Sequence, residues 1–295
     1  MTNARTIFVL GIMLLPFWGC EKAPAPVAKV GLTPSEIELP YPGVAKVKLH
    51  WEMLAPLEVA AGEPTVFVHV LDAESNVERT FDHPLPFAWQ PGTSQDYDIT
   101  LYQSALAPPM DTGTYRVSLG IYDSSGQRWA LAETGAEIAK LEYQVGTLGT
   151  EGDPAAVPMF YFSPSWLPLE AGTDVQILGR RWLTDEGTIR VAEVLTAGTV
   201  WLVLQVSEPV PDLEELALEE GTIEPGFTLS STCGGEETAV SGYGRFELQV
   251  PVGAGEDGQL PEECEILLRP NFQIVEVDTL ARRSVGLEIL GWSAD

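Results

Sequence analysis

The chain has 295 residues and carries 16 Lys+Arg against 43 Asp+Glu, a formal net charge of −27 at pH 7. Such a charge repels phosphates and anionic headgroups, which excludes nucleic acid as a partner and argues against adsorption onto an anionic membrane surface. Apolar residues at 45% and charged residues at 20% describe a chain that can fold around a core, the length suits two domains, and 23 Pro with 28 Gly favour short strands and turns over long helices.

In chain order, the first element is a leader. Arg5 and the amino terminus supply positive charge, and residues 6–18 are an uncharged, mostly apolar run. As a helix this run spans about 20 Å, short of a bilayer core of roughly 30 Å. Its length suits the apolar region of a signal peptide. The run ends Phe17-Trp18-Gly19-Cys20, followed by Glu21-Lys22-Ala23-Pro24-Ala25-Pro26. These residues resemble the lipobox of bacterial lipoproteins, with Phe17 and Trp18 standing where a leucine and a small residue are usual. The resemblance implies a signal peptide over 1–19, diacylation of Cys20, a tether over 20–27, and a lipid anchor in the membrane. Glu21, where an inner-membrane retention signal has aspartate, favours the outer membrane. Plain secretion and a buried N-terminal helix are the competing readings.

From residue 27 to 145, short apolar runs alternate at period two between turn residues. Strands are predicted at 44–53, 65–71, 97–102, 114–122, 127–131 and 136–145, with turns at 72–76 and 123–126. About seven strands in this space is the signature of an immunoglobulin-like or fibronectin-like sandwich over 28–146. A Gly-, Thr- and Pro-rich stretch, 147–157, is the predicted linker. The second domain, 158–295, repeats the pattern at 175–182, 188–195, 200–206, 245–250, 264–269, 272–277 and 284–290. Between them, the acidic 208–224 is predicted to form a solvated loop with one short helix. The fold class is therefore all-β, two tandem antiparallel β-sandwiches. Cys233 and Cys264 form an even pair, which in an exported chain predicts a disulfide.

Several motifs carry a further likeness. Residues 66–72 (VFVHVLD), Asp82-His83-Pro84, Trp89-Gln90-Pro91-Gly92, Gly113-Thr114-Tyr115-Arg116-Val117 and Gly120-Ile121-Tyr122-Asp123 form an ordered series. Trp166-Leu167-Pro168-Leu169-Glu170, Arg181-Trp182, Gly187-Thr188-Ile189-Arg190 and the closing run 282–289 (RRSVGLEI) continue it. The series resembles the β-sandwiches appended to bacterial membrane glycosyltransferases of the dolichyl-phosphate-mannose type, and those of envelope proteins. The multipass catalytic region of those transferases is not in this chain, so the resemblance implies carbohydrate contact and no transferase activity.

The residues singled out for ligand contact are His69, Asp72, His83, Trp89, Glu170, Arg181 and Trp182. His69, Asp72 and the Asp82-His83 pair suggest an acid–histidine constellation, set against a structural role in the core. Glu170, Arg181 and Trp182 suggest a sugar-binding corner or a structural clamp in which a charge-assisted bond joins Glu170 to Arg181. Gly-x-Ser-x-Gly, the P-loop and His-Glu-x-x-His are all missing, and three His leave little for metal chemistry. The expectation is a non-catalytic binding module with no cofactor and no metal. Its expected partner is an envelope glycan, or alternatively another envelope protein docked on it; a hydrolase with paired carboxylates ranks below both.

Overall fold

The computed structural model describes residues 24–132, 134–151, 157–171, 178–210, 214–222, 224–255, 258–277 and 279–294, and among them every regular element is a β-strand. The first half begins with β1 (Ala28–Thr33), β2 (Glu36–Glu38), β3 (Gly43–Met53), β4 (Thr65–Leu71) and β5 (Val77–Thr80). It continues through β6 (His83–Pro84), β7 (Ser94–Gln103), β8 (Thr114–Tyr122), β9 (Ala136–Ala139) and β10 (Glu142–Gly149). One sheet runs β1-β3-β7, the other β2-β10-β8-β4-β5, with β6 against β4 and β9 against β10.

Pleating explains the packing. In β3, Val47, Leu49, Trp51 and Met53 point inward, while Lys48, His50 and Glu52 are exposed. The two central strands are buried on both faces. Val66, Val68 and Val70 of β4 meet Val117, Leu119 and Ile121 of β8 in the core between the sheets. Phe67 and Leu71 share a face with His69, as alternation predicts, but it is the opposite face of the sheet from that core. Gly120 makes room there, because a Cβ on it would lie 2.2 Å from the Phe67 ring.

The second half begins with β11 (Met159–Phe162), β12 (Glu170–Ala171), β13 (Gly179–Trp182), β14 (Gly187–Ala192), β15 (Gly198–Val206) and β16 (Glu214–Leu218). Then come β17 (Gly226–Ser231), β18 (Thr238–Ser241), β19 (Gly244–Val252) and β20 (Glu263–Pro270). β21 (Phe272–Glu276), β22 (Arg282–Arg283) and β23 (Gly286–Ala294) complete it. Its sheets run β11-β14-β20-β17-β18, β12-β13-β23-β15-β19 and β16-β21-β22. Cys233 and Cys264 are joined by a disulfide across 31 residues, both buried. Closing a loop of that size contributes about 3–4 kcal/mol in the chain-entropy account.

Four expectations need correction, and one strand lies where none was expected. Residues 127–131 form no strand and touch β8 and β1 only through isolated bridges, Tyr122 with Arg128 and Ala28 with Leu131. The predicted strand 136–145 is two antiparallel strands, β9 and β10, reversed at Leu141, whose φ is +55°. The helix expected within 208–224 is replaced by β16, where Leu216 pairs with Ile274 and packs on the core. The strand β17, rich in Ser and Thr, was not anticipated. The stretch taken for a linker starts inside β10, where Leu148 is fully buried.

Two buried clusters occupy the two halves, and residues 104–106 tie them together. Leu106 belongs to the second cluster although it follows β7 of the first half. The Ala105 N–H donates to the Leu290 carbonyl at 2.8 Å, and the Ser104 hydroxyl accepts from the amides of Leu106 (3.1 Å) and Leu290 (3.2 Å). Gly179 permits the approach, since a Cβ there would lie 2.1 Å from the Leu106 carbonyl oxygen.

Candidate functional site: a cleft at the junction of the halves

The sequence-predicted residues fall in several separate places. Asp72 organises the turn after β4: its carboxylate accepts the backbone and side-chain N–H groups of Asn76, both at 2.7 Å. These bonds hold its carboxyl below the usual range, the Asn76 side chain first among the causes. Trp89 donates its indole N–H to the Ala55 carbonyl at 2.8 Å and packs edge-on to Trp51, anchoring its loop. Cys20 lies outside the described residues.

His69 sits on the outer face of the β4/β8/β10 sheet, stacked 4.8 Å from Phe67. Its two ring nitrogens face carboxylates, Glu142 at 3.4 Å and Asp82 at 3.6 Å. Ser118, directly opposite His69 across the strands, donates its hydroxyl to Glu142 at 2.7 Å. Tyr122 donates to Asp82 at 3.3 Å, and Arg128 caps Phe67 with its guanidinium 4.6 Å from the ring. The hydrogen bond from His69 holds the Glu142 carboxyl below its ordinary value, whereas burial pushes Asp82 up. The hydroxyl is committed to a carboxylate and not to the imidazole, so the cluster lacks the nucleophile–base contact that acyl transfer needs.

The second-domain corner is rearranged relative to expectation. Glu170 accepts the Trp182 indole N–H at 3.0 Å, not a bond from Arg181. Arg181 turns to the other side of β13, donating to the Leu167 carbonyl at 3.0 Å and covering Phe162. Arg180 and Arg283 are the cations over Trp182, at 5.3 and 4.9 Å. The Trp182 and Arg181 donors named here go to protein acceptors, while the Nε atoms of Arg180, Arg181 and Arg283 are buried without a hydrogen-bond partner.

His83 lines a cleft of about 290 Å³ where the halves meet. Phe81, His83 and Pro86 form one wall, Tyr97 and Tyr102 of β7 another, and Arg245 and Glu247 of β19 the third. His83 Nδ1 lies 2.8 Å from the Phe81 carbonyl and Nε2 2.8 Å from the Tyr97 hydroxyl. Burial lowers the His83 pKa and raises those of Tyr97 and Tyr102, so all three favour their neutral forms; Arg245 beside Tyr102 offsets part of that rise. Behind the cleft, Arg245 reaches the buried Glu288 at 3.3 Å, and Arg180 closes on its other oxygen. Arg180 thereby connects the cleft to the Trp182 corner.

Sequence reasoning found His83 and missed Tyr97, Tyr102, Arg245 and Glu288. One signal was present: Glu288 is a lone carboxylate in an apolar strand, and buried acids are rare unless paired. Among the described residues, no group of three or more His, Cys, Asp and Glu could hold a metal ion. No family model matches the chain, and no curated protein matches it in sequence.

Proposed function

We propose that this chain is a lipoprotein of the cell envelope, held in the outer membrane by acyl chains on Cys20. In this reading its two β-sandwich domains, the first immunoglobulin-like, are a non-catalytic binding module for an envelope glycan. The observation that carries the proposal is the pairing of Cys233 with Cys264. A structural disulfide belongs to an oxidising compartment. It also leaves Cys20 as the third of three cysteines, placed where an apolar leader ends. Several acyl chains, at about 0.8 kcal/mol per buried CH₂, anchor a protein stably where a single chain does not.

The non-catalytic part is supported by the commitment of Ser118 to Glu142, and by a cleft whose histidine has both nitrogens engaged by protein groups. The motif series shared with glycosyltransferase-associated sandwiches supports a glycan as partner. Cells grown with a clickable palmitate analogue are expected to label the wild-type protein and not Cys20→Ala. Undiminished label on the variant contradicts the anchor.

A further inference from the structure

We propose that the first sandwich rests one end on the lipid interface, with the groove beside Pro24 and Pro26 against the headgroups, and carries the second sandwich away from the membrane. This rests on the reading of Cys20 as the acylated residue and gives that anchor a docking surface. It is independent of what the cleft binds.

The length of the tether sets the approach. Pro24, the first described residue, follows Cys20 by four positions, and four residues reach at most about 14 Å when fully extended. Acyl chains in the hydrocarbon hold their cysteine in the interfacial layer. The end of the fold that bears Pro24 is therefore kept close to the headgroups.

The topology says which end this is. The Val27 N–H donates to the Ala130 carbonyl, and the Val27 carbonyl accepts from the amides of Leu54 and Ala55. Ala28 pairs with Met53, Thr65 with Tyr122 and Tyr143 with Leu119. The last residues of β3 and β8 and the first of β1, β4 and β10 thus gather around the root of the tether. Contacts with the second half are made at the other end of β3 and β7. A Cβ on Gly291 would lie 2.6 Å from the Val44 side chain, Lys46 sits 4.7 Å above the Trp201 ring, and Ala105 bonds Leu290. The 11 residues of β3 between these ends span about 35 Å at the rise of a strand. The second half is displaced along the first, away from the anchored end.

The anchored end suits a lipid interface. Beside Pro24 and Pro26 lies a groove of about 430 Å³ lined by Leu131 and Leu141, with Lys140 and Glu137 adding one charge of each sign. Leu54, bonded through its backbone to Val27, is 40% exposed. Apolar walls with balanced charge match the layer where acyl chains meet zwitterionic headgroups. A net charge of −27 keeps the protein from adhering to an anionic surface unaided. The acyl chains accordingly supply the attachment, and the short tether with its groove supplies the orientation.

The test is fluorescence quenching on the acylated full chain in phosphatidylcholine vesicles that contain a lipid with a nitroxide on its headgroup. With Cys20 acylated and Cys233 joined to Cys264, a single introduced cysteine is the one thiol that takes the fluorophore. Lys140→Cys, at the anchored end, is expected to lose most of its emission. Leu195→Cys, between β14 and β15 and 66% exposed, is expected to keep it. Glu58→Cys, on the exposed connection from β3 to β4, replaces the first reporter should that variant lose its fold. Emission lost at position 195 as much as at the anchored end, or lost at neither, overturns the orientation and leaves the anchor standing. Intact mass showing Cys20 without acyl chains overturns the anchor and this proposal together.

Discussion

Two histidines only fourteen positions apart, His69 and His83, occupy contrasting environments. His69 is set between two carboxylates on a closed sheet face, where Ser118, Tyr122 and Arg128 complete an internal network. His83 has neutral partners on both nitrogens and lines an open cleft. Adjacent carboxylate and imidazole in the sequence, Asp82 and His83, are thus divided between the two: the acid belongs to the first histidine's cluster, the ring to the cleft. The contrast teaches that neighbours in sequence can serve different surroundings: charged groups pair with one another around His69, whereas the ring of His83 is held by uncharged groups at the rim of an open cleft.

Substitutions can break this contrast. The largest effect is expected from Phe67→Ala, which removes a fully buried ring from beneath His69 and Arg128. Guanidinium unfolding should show a loss of about 3–5 kcal/mol, with glycoside binding intact in the folded fraction.

A smaller loss, about 1–2 kcal/mol at neutral pH, is expected from Glu142→Gln, which weakens the bonds to Ser118 and His69. The Glu142 carboxyl is depressed in the folded state. Its contribution is therefore present above its unfolded pKa, about 4.3, and is lost as pH falls through the folded value. The variant should accordingly show a shallower loss of stability with acid below about pH 4. An unchanged acid limb would mean that the cluster is not held by that carboxylate.

The smallest effect belongs to His83→Gln, about 1 kcal/mol from one hydrogen bond. Because burial lowers the His83 pKa, the unfolded chain takes up a proton first as pH falls below about 6.5, and stability declines there. The variant should lack that component of the decline. If stability instead rises on acidification through this range in the wild type and not in the variant, the imidazole is held as a cation and its assignment as a neutral ring fails.

Much of the fold was legible where alternation is strict. β4 and β8 end where the pattern of apolar and polar residues ends, and counting cysteines gave the disulfide. The division of β9 from β10 had no signal, because the reversal uses Leu141 at positive φ where a glycine would have announced it. The acidic stretch around β16, PDLEELALEE, has the composition of a helix, and pairing with β21 overrides that propensity.

At the site, the mistaken pairing of Arg181 with Glu170 could have been avoided. Neighbours in a strand face opposite ways, so Arg180, two positions from Trp182, was the arginine able to share its face. The convergence of Tyr97 and Tyr102 with Arg245 leaves no trace in the sequence, since it depends on how β7 and β19 meet across the two halves.

The most direct test of the proposed glycan-binding role is amide shift mapping on the full chain during titration with the methyl glycosides of glucose, galactose, mannose and N-acetylglucosamine. Perturbed amides are expected at residues 81–86, 97–102 and 245–247, with those of Phe67, His69, Ser118 and Glu142 unmoved. Shifts centred on His69 and its carboxylates, with the cleft silent, would contradict it.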